Sequence, residues 1–288
     1  MVKRMKKLIY LLSVVLLASC GSPVTNEHAH KTTDSLRIVS INGTVSEVLA
    51  SLGLADQVVG VDVTSTYPES LKAKPKVGHN RNLSMEGILS LEPDLVIGTA
   101  ADIKPEAIKQ LTQTGIEVKL FDRDFSPNGA KELIRQIADS LDLRHRADSV
   151  LQQLNEELEK VSSFTASSPK PRVLFIYARG AGTMMVGGSG TPIDEMITLA
   201  GGENVAKDLE DYKPLTPEAL VKYNPDVILL FDTGLSSLGD IDGILTVKGV
   251  SETNAGKNKK IVEMDGQLLS GFGPRLAMAI DELYHKIH

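Results

Sequence analysis

The chain has 288 residues, a formal net charge of −6, 42% apolar residues and a single cysteine. An acidic chain without a basic stripe argues against nucleic acid as a partner, and one cysteine excludes an intrachain disulfide. The apolar content is that of an ordinary folded protein stabilised by packed cores. The length allows one large domain or two medium ones.

The start of the chain has the pattern of a secretory signal. Three lysines and one arginine lie between Lys3 and Lys7, and an uncharged, mostly apolar run of 11 residues follows from Leu8 to Ala18. That run is too short to span a bilayer as a mature helix. The next residues, Leu17-Ala18-Ser19-Cys20, resemble the lipobox of bacterial lipoproteins, which implies cleavage before Cys20 and acylation of its thiol. The alternative is an ordinary signal peptide followed by an incidental cysteine.

A mature chain that starts at Cys20 is more acidic than the whole chain. Loss of four basic residues takes Lys and Arg from 31 to 27 against 37 Asp and Glu, so the formal charge falls from −6 to −10. Residues 20–35 are polar and lack periodicity, which predicts a flexible tether. We expect His28 and His30 in this tether to be solvated, because no carboxylate or cysteine cluster surrounds them.

From residue 36 onwards, short β-branched runs alternate with helical stretches, which predicts largely parallel α/β sheets. The first set of predicted strands is Arg37–Ile41, Val58–Val61, Leu95–Gly98 and Val118–Phe121, with helices at Ser46–Leu52, Ser84–Leu91 and Pro105–Thr112. The second set of predicted strands is Val173–Tyr177, Val227–Phe231 and Ile261–Met264, with helices near Pro192–Ala200, Pro217–Tyr223 and Pro274–Ile287.

A long helix is predicted between the two sets, over residues 128–162. Its apolar residues recur mostly at helical spacings of three, four and seven, with one irregular offset of six between Leu141 and Ala147. No proline or glycine interrupts Ala130–Ser162. We therefore expect a single rigid helix of about 45–50 Å at 1.5 Å per residue.

Two stretches of the chain repeat one pattern at an offset of 132 residues. Leu83–Ile88 leads to Pro93–Ile97, and Leu215–Leu220 leads to Pro225–Leu229. Each copy has a Ser or Thr N-cap candidate, a Glu in the first helical turn, a Pro-Asp turn and an apolar strand. A Pro-Asp turn before a strand is common in α/β proteins, but here the cap, the Glu and the turn all keep register. The pattern favours two related lobes.

The predicted fold class is therefore α/β, with two Rossmann-like lobes joined by a single long backbone helix. The predicted order is a signal peptide (1–19), a tether (20–35), an N-terminal lobe (36–127), a connecting helix (128–162) and a C-terminal lobe (163–288).

Three further segments are distinctive: Thr64–Pro68 followed by Val77–Ser84, Gly187–Pro192 leading into Leu199–Asn204, and Gly271–Arg275. With the lipobox, the lobes and the paired Glu and Pro-Asp units, the chain resembles the substrate-binding proteins of metal-chelate ABC importers. The three segments resemble the haem-binding branch of that class. The resemblance spans essentially the whole chain from Leu36. It implies a non-enzymatic, lipid-anchored protein of the periplasm or cell surface that captures ferric haem between its lobes and delivers it to a permease dimer with a separate ATPase.

Tyr67 is the predicted axial ligand of the haem iron, a role that the resemblance implies. A phenolate oxygen is a hard donor that suits ferric iron, and a loop after a strand is where α/β sheets bind ligands. Free tyrosine has a pKa of about 10, so ligation needs the ferric charge and preferably a nearby cation. Arg275, after a Gly-Phe-Gly-Pro turn, is the first candidate for that cation. Arg81 is the second, on the strength of the resemblance. The plain alternatives are a packed loop tyrosine and surface arginines.

Three other residues are candidates for binding or docking. His79 departs from the family pattern, in which haem-binding relatives often carry Tyr in this Gly-x-x-Arg segment. Since imidazole also ligates iron, His79 is a second axial ligand, a hydrogen-bond partner or an exposed residue. Glu86 and Glu218 hold matching positions in the two lobes. The resemblance implies that each meets an arginine of one permease subunit, whereas the simpler role is to offset a helix dipole.

Three rival functions stay open. One keeps the fold and binds a cobalamin or a ferric siderophore, although such sites favour several aromatics and this chain has no Trp and 4% aromatic residues. Another is a metal-dependent enzyme that uses His79 with Asp62, Asp122 or Asp124, which lack a recognisable ligand spacing. The third is a surface protein that sequesters haem without a permease. Nucleotide binding at Gly187–Gly190 is not expected, because no Gly-Lys-Ser/Thr follows.

Overall fold

The computed structural model describes residues 35–79, 81–165 and 169–288. The predicted signal peptide, Cys20 and the two tether histidines lie outside the described residues. Within the described ranges the chain forms two large sheets with helices packed on them and one small two-stranded sheet, which confirms the predicted α/β fold with two lobes. None of the helices in these ranges combines the length and the apolar character needed to cross a membrane.

The first sheet has four parallel strands in the order β2-β1-β5-β6. The strands and the adjoining hairpin are β1 (Ile38–Ser40), β2 (Val58–Val61), β3 (Gly78–His79), β4 (Asn82–Leu83), β5 (Leu95–Thr99) and β6 (Glu117–Phe121). The helices of this half are α1 (Gly43–Ser51), α2 (Glu69–Lys72), α3 (Met85–Leu89) and α4 (Pro105–Gln113). Strands β1 and β5 are buried along their whole length, as expected for parallel strands covered on both faces.

The second sheet is mixed and has the order β10-β8-β7-β11-β12, with β9 also paired to β7. Its strands are β7 (Arg172–Ala178), β8 (Met184–Gly187), β9 (Glu203–Asn204), β10 (Tyr212–Pro214), β11 (Val227–Phe231) and β12 (Ile261–Met264). The helices of this half are α7 (Pro192–Leu199), α8 (Pro217–Tyr223), α9 (Asp232–Ser237), α10 (Asp240–Leu245), α11 (Asn254–Lys257), α12 (Gly266–Ser270) and α13 (Leu276–Ile287). Strands β7, β11 and β12 are parallel, whereas β8 and β10 are antiparallel to their neighbours.

The segment between the two sheets differs from the single helix predicted over 128–162. It forms two helices, α5 (Pro127–Ser140) and α6 (Arg144–Thr165). Asp142 takes a left-handed φ of 57°, which a short polar side chain tolerates. The backbone N–H of Leu143 then donates to the carbonyl of Ala138 at 2.8 Å and closes α5. The irregular spacing of six residues between the apolar Leu141 and Ala147 coincides with this break.

One apolar core runs through both halves. It includes Ile38 of the first sheet, Phe175 and Leu229 of the second, Ile137 of α5 and Leu154 of α6, each with at most 1% of its surface exposed. Burial of each such side chain contributes about 1.5–3 kcal/mol. The lobes are therefore joined by shared packing as well as by the two helices, and they cannot separate without exposing this core.

The internal repeat is visible in the structure. The side chains of Ser84 and Thr216 cap the starts of α3 and α8 by accepting backbone hydrogen bonds. Before the strands that follow, Glu92 and Asn224 both take a left-handed φ, of 44° and 41°. Each pair is 132 positions apart, so the two halves share their backbone geometry as well as their sequence pattern.

Candidate functional site

A cavity of about 550 Å³ lies between the two sheets. Its lining residues follow β1, β2 and β6 of the first sheet and β7, β11 and β12 of the second. Ligands of α/β sheets bind at the carboxyl ends of strands, and sites for small molecules span about 300–1,000 Å³. This cavity, called the cleft below, is therefore the candidate binding site.

The loop that carries Tyr67 is held by a carboxylate beneath it. Asp62 is fully buried. It accepts hydrogen bonds from Ser65 Oγ at 2.6 Å and from the backbone N–H of Thr64 at 3.0 Å. Lys76 Nζ donates to the carbonyl of Ser65 at 2.9 Å. These bonds order the loop from inside, while Tyr67 as a residue stays 44% exposed.

The structure brings Arg275 and Tyr67 together across the two lobes. The guanidinium carbon of Arg275 lies 3.7 Å from the centroid of the Tyr67 ring, a cation–π contact. Arg275 Nε donates to Glu47 Oε2 at 3.0 Å, and its Nη2 donates to Glu47 Oε1. Burial by itself lowers the pKa of Arg275, but the hydrogen bonds and the charge of Glu47 outweigh it and the net shift is upward. A permanent cation therefore lies on the phenol ring.

Gln267 of α12 joins the same groups. Its side-chain oxygen accepts hydrogen bonds from the backbone N–H of Thr66 at 2.7 Å and of Tyr67 at 3.2 Å. Its Nε2 donates to the carbonyl of Gly43 at 2.9 Å and to Glu47 Oε1 at 2.5 Å. One side chain of the second lobe thus fixes the tyrosine loop and the start of α1 in the first lobe.

Aromatic residues form the wall of the cleft on the side of the second lobe. The ring of Tyr177 lies edge-to-face with Tyr212 at 6.2 Å and with Phe231 at 6.1 Å between centroids. The guanidinium carbon of Arg179 lies 5.5 Å from the centroid of Tyr177. Such a wall offers an apolar surface with a cation at its edge.

Arg81 acts electrostatically on Tyr212, the aromatic residue that packs on Tyr177. Burial raises the pKa of Tyr212 to about 12, and the positive charge of Arg81 is close enough to oppose part of that shift. The phenol of Tyr212 is therefore neutral at physiological pH. Neither Arg81 nor Tyr212 is among the residues that line the cleft, so the place of Arg81 in the binding site stays a prediction.

His79, on β3, lines the cleft. Its Nδ1 accepts a hydrogen bond from the backbone N–H of Arg81 at 3.2 Å. This bond fixes the ring and leaves Nε2 as the nitrogen available to a ligand. His79 and the loop of Tyr67 thus contribute to the same side of the cleft.

The two predicted docking glutamates are at equivalent places. Glu86 lies in the first turn of α3 and Glu218 in the first turn of α8, and both side chains are exposed. Neither carboxylate has a salt bridge or side-chain hydrogen bond to any residue in the described ranges. Both are therefore accessible to an external partner.

The residues named for a metal-dependent enzyme do not assemble. The carboxylate of Asp62 is engaged in its own loop, and Asp124 accepts a hydrogen bond from Ser126 Oγ at 2.5 Å. Across residues 35–79, 81–165 and 169–288, no three His, Cys, Asp or Glu side chains form a group that could hold a metal ion.

Sequence reasoning missed several residues that shape the site. Glu47 lies in a helix that is otherwise apolar or small and has a side chain only 5% exposed, so a carboxylate among buried positions was the available signal. Gln267, Arg123 and Arg179 had no distinguishing pattern. Their importance comes from contacts over more than a hundred residues or from the geometry of the cleft.

Residues 38–268 match the family described as periplasmic binding protein. The chain belongs to this family. Its members are binding proteins and not enzymes, which confirms the expectation that no reaction is catalysed, and the family resemblance predicted from the sequence is confirmed as well. An uncharacterized ABC transporter substrate-binding lipoprotein of Bacillus subtilis, YvrC, is 29% identical over 303 aligned residues, which cover 96% of this chain and 95% of YvrC.

Solved structures of haem-binding proteins have the same fold. The periplasmic heme-binding protein RhuT from Roseiflexus sp. RS-1, in apo form, is 38% identical with a TM-score of 0.84, covering 88% of this chain and 100% of RhuT. The periplasmic heme-binding protein BhuT, in complex with two hemes, is 36% identical with a TM-score of 0.83, covering 88% of this chain and 97% of BhuT.

Proposed function

We propose that this protein is the substrate-binding component of an ABC importer, which captures ferric haem in the cleft and binds the iron through Tyr67. The observation that carries the proposal is the exposed phenol of Tyr67, whose ring lies under the anchored guanidinium of Arg275 beside the cleft. The choice of cargo is supported by RhuT and BhuT, which are heme-binding proteins 38% and 36% identical to this chain.

The chemistry of the loop suits a phenolate ligand. A phenolate binds ferric iron well, and the guanidinium carbon of Arg275 lies 3.7 Å from the centroid of the Tyr67 ring. Tyr212 is a poorer candidate, because burial raises its pKa to about 12 and so favours the neutral phenol. His79 is the candidate for the other axial position or for a hydrogen bond to a ligand on the iron, through Nε2.

The rest of the cleft suits a porphyrin. The rings of Tyr177 and Phe231 provide a surface for a flat apolar macrocycle, and both residues line the cleft. Haem also carries two propionates, which need cations. Lys72, which lines the cleft, is paired with Glu69 at 3.5 Å, whereas Arg179 lines the cleft without a salt bridge to any described residue. Arg123 also lines the cleft, but its Nη2 donates to the carbonyls of Ser270 and Gly271. Arg179 is therefore the cation we assign to a propionate.

Titration of the purified protein with hemin tests the proposal. Wild type is expected to give a Soret band and the charge-transfer band of a phenolate bound to high-spin ferric iron. Tyr67→Phe removes only the hydroxyl, so the charge-transfer band is expected to disappear and the affinity to fall. Tyr223→Phe is the matched control, because its hydroxyl donates to Asp208 at 2.9 Å and lies outside the cleft lining. An unchanged spectrum and affinity in Tyr67→Phe would show that another group binds the iron.

A cobalamin or ferric-siderophore cargo is the second candidate, since an aromatic wall also suits other apolar chelates. Thermal unfolding with hemin, cyanocobalamin and a ferric siderophore separates the two. A ligand that binds only the folded protein raises the midpoint of unfolding with its concentration. We expect hemin to raise the midpoint of unfolding most. A larger rise with either of the other chelates would show that this chelate, and not haem, is the cargo.

The attachment and delivery steps complete the proposal. We propose that the mature chain is tethered to the outer face of a membrane by lipid on Cys20 and hands haem to a permease dimer with a separate ATPase. The similarity to YvrC, an ABC transporter substrate-binding lipoprotein, supports both steps. Cys20→Ser is expected to move the protein from the membrane fraction to the soluble fraction while leaving hemin binding unchanged. Retention of the variant in the membrane fraction would exclude this anchor.

A further inference from the structure

Glu47 is a nearly buried carboxylate that lies at the centre of contacts between the lobes. Its side chain is 5% exposed. Oε2 accepts a hydrogen bond from Arg275 Nε at 3.0 Å, while Oε1 accepts from both Arg275 Nη2 and Gln267 Nε2. Burial raises the pKa of Glu47, and the hydrogen bonds and charge of Arg275 oppose that shift. Apolar packing usually stabilises a core at least as well as a buried ion pair does, so folding alone gives little reason for this carboxylate.

Both partners of Glu47 lead to Tyr67. The guanidinium of Arg275, held in its plane by two hydrogen bonds to Glu47, covers the ring of Tyr67 at 3.7 Å. The amide of Gln267, held at Nε2 by Glu47, accepts the backbone N–H of Tyr67 at 3.2 Å through its oxygen. One carboxylate thus acts on the ring through Arg275 and on the main chain through Gln267.

Tyr67 needs such support because it is exposed. A loop residue that is 44% exposed samples several side-chain rotamers unless its neighbours fix it, and ordering the side chain on ligand binding weakens the affinity. Ligand groups whose rotamers are locked in advance by surrounding contacts bind more tightly. Tyr67 and Glu47 belong to the first lobe, whereas Arg275 and Gln267 belong to the second. The contacts that fix Tyr67 therefore cross from one lobe to the other.

We infer that Glu47 is a positioning residue for the iron ligand: it anchors Arg275 and Gln267 so that both hold Tyr67 in the orientation that receives haem. The inference rests on the proposed function, because it assumes that Tyr67 binds the iron. It adds a residue that does not touch the ligand. It also makes the hydrogen bonds between the two lobes part of the binding site.

Glu47→Gln is the direct test. A carboxylate offers acceptors to both partners, whereas an amide has one oxygen and one NH₂, so one donor of Arg275 or Gln267 then faces another donor. We expect Arg275 to leave the ring of Tyr67 and the haem affinity to fall by about tenfold, the size typical of groups coupled in one network. The phenolate charge-transfer band is expected to weaken as well. Glu132→Gln is the matched control, because Glu132 is 55% exposed and pairs with Arg135 on α5.

The decisive comparison repeats Glu47→Gln in a Tyr67→Phe background. If Glu47 acts through the phenol, its substitution changes the haem affinity of Tyr67→Phe by less than about twofold. A tenfold loss that persists without the phenol would overturn the inference, because Glu47 would then act on the fold or the cleft in general. An unchanged or tighter affinity in Glu47→Gln alone would overturn it too.

Two further measurements keep the outcomes separate. If Tyr67→Phe by itself leaves spectrum and affinity unchanged, the proposed ligand fails and the inference fails with it, whereas a failure confined to Glu47 leaves the proposed function intact. If Glu47→Gln gives too little folded protein by circular dichroism, Glu47→Asp retains the charge and retracts the carboxylate by about 1.5 Å, one C–C bond. We expect a smaller loss of affinity from Glu47→Asp, again abolished in Tyr67→Phe, and an equal loss in both backgrounds would overturn the inference.

Discussion

Arg123 reaches from the end of β6 into the other lobe, where its Nη2 donates to the carbonyl of Gly271 at 2.6 Å. The same nitrogen lies 3.2 Å from the carbonyl of Ser270. Its guanidinium carbon also lies 4.9 Å from the centroid of Phe125, whose ring packs edge-to-face with Phe272 at 5.6 Å. The turn between α12 and α13 is therefore tied to the first lobe within the lining of the cleft.

Loss of this tie is expected to destabilise the folded protein. Arg123→Ala removes charge-assisted hydrogen bonds to part-buried carbonyls, so we expect the free energy of unfolding to fall by about 1.5–3 kcal/mol. Urea denaturation followed by circular dichroism measures the change. Arg135→Ala is the control, because Arg135 makes an exposed ion pair on α5 and its removal is expected to matter by less than about 1 kcal/mol. Equal effects of the two substitutions would contradict this role.

Arg179 is expected to contribute to haem affinity through a propionate. Its side chain is exposed and borders the cleft, so Arg179→Ala should weaken hemin binding by roughly fivefold, as for a partly solvated ion pair. The loss should shrink as salt is added, because salt screens exposed charges. Fluorescence-quenching titrations at two salt concentrations measure both effects. Arg144→Ala, an exposed arginine of α6 paired with Asp139, provides the comparison, and equal affinities in the two variants would exclude the contact.

Tyr212 is expected to make the protein sensitive to alkali. Its pKa is raised from 10.0 to about 12, chiefly by burial. Below pH 10 the folded and unfolded chains both keep the proton. Between about pH 10 and 12 the unfolded chain loses it first, so stability falls as pH rises, by roughly 2–3 kcal/mol in total. Tyr212→Phe should flatten this part of the curve of unfolding free energy against pH. A wild-type slope in the variant would show that Tyr212 is not the group responsible.

Glu86 and Glu218 are expected to act in delivery and not in binding. Both lie exposed at equivalent helix starts, and neither borders the cleft. Reversal of both charges, Glu86→Lys with Glu218→Lys, should abolish haem uptake by cells while the hemin affinity of the purified protein stays the same. Reversal of Glu106, an exposed first-turn glutamate of α4, is the control. Normal uptake by the double variant would favour a protein that sequesters haem without a permease.

The strands and helices with strong local patterns could be predicted from the sequence. Val58–Val61 and Ile261–Met264 are strands with the predicted bounds, because short β-branched or apolar runs between turns leave little choice. The antiparallel strands β8 and β10 were missed. Their residues include glycine and proline and pair only through tertiary contacts, so local propensity carries little information about them.

The site likewise contains some residues that the sequence predicted and others that it did not. Tyr67 and Arg275 were named from motifs, and the structure brings them into contact. What joins them could not be predicted, because Glu47 and Arg275 are 228 positions apart and neither has a local signal for the other. The unbroken connecting helix was wrong for a related reason. The offset of six between Leu141 and Ala147 coincides with the break at Asp142, but such an offset does not by itself distinguish an interrupted helix from a continuous one.

The apolar interior shared by the two halves limits how this molecule can be dissected. Ile137 and Phe175 belong to the same apolar cluster. Cutting the chain between α5 and α6 would put them on separate pieces. Each piece would then expose apolar surface and tend to aggregate. A chimaera that joins one half of this protein to the other half of a relative would therefore also need the helices that pack against the grafted half. A functional exchange of specificity is more readily made by changing the loops around the cleft than by trading halves.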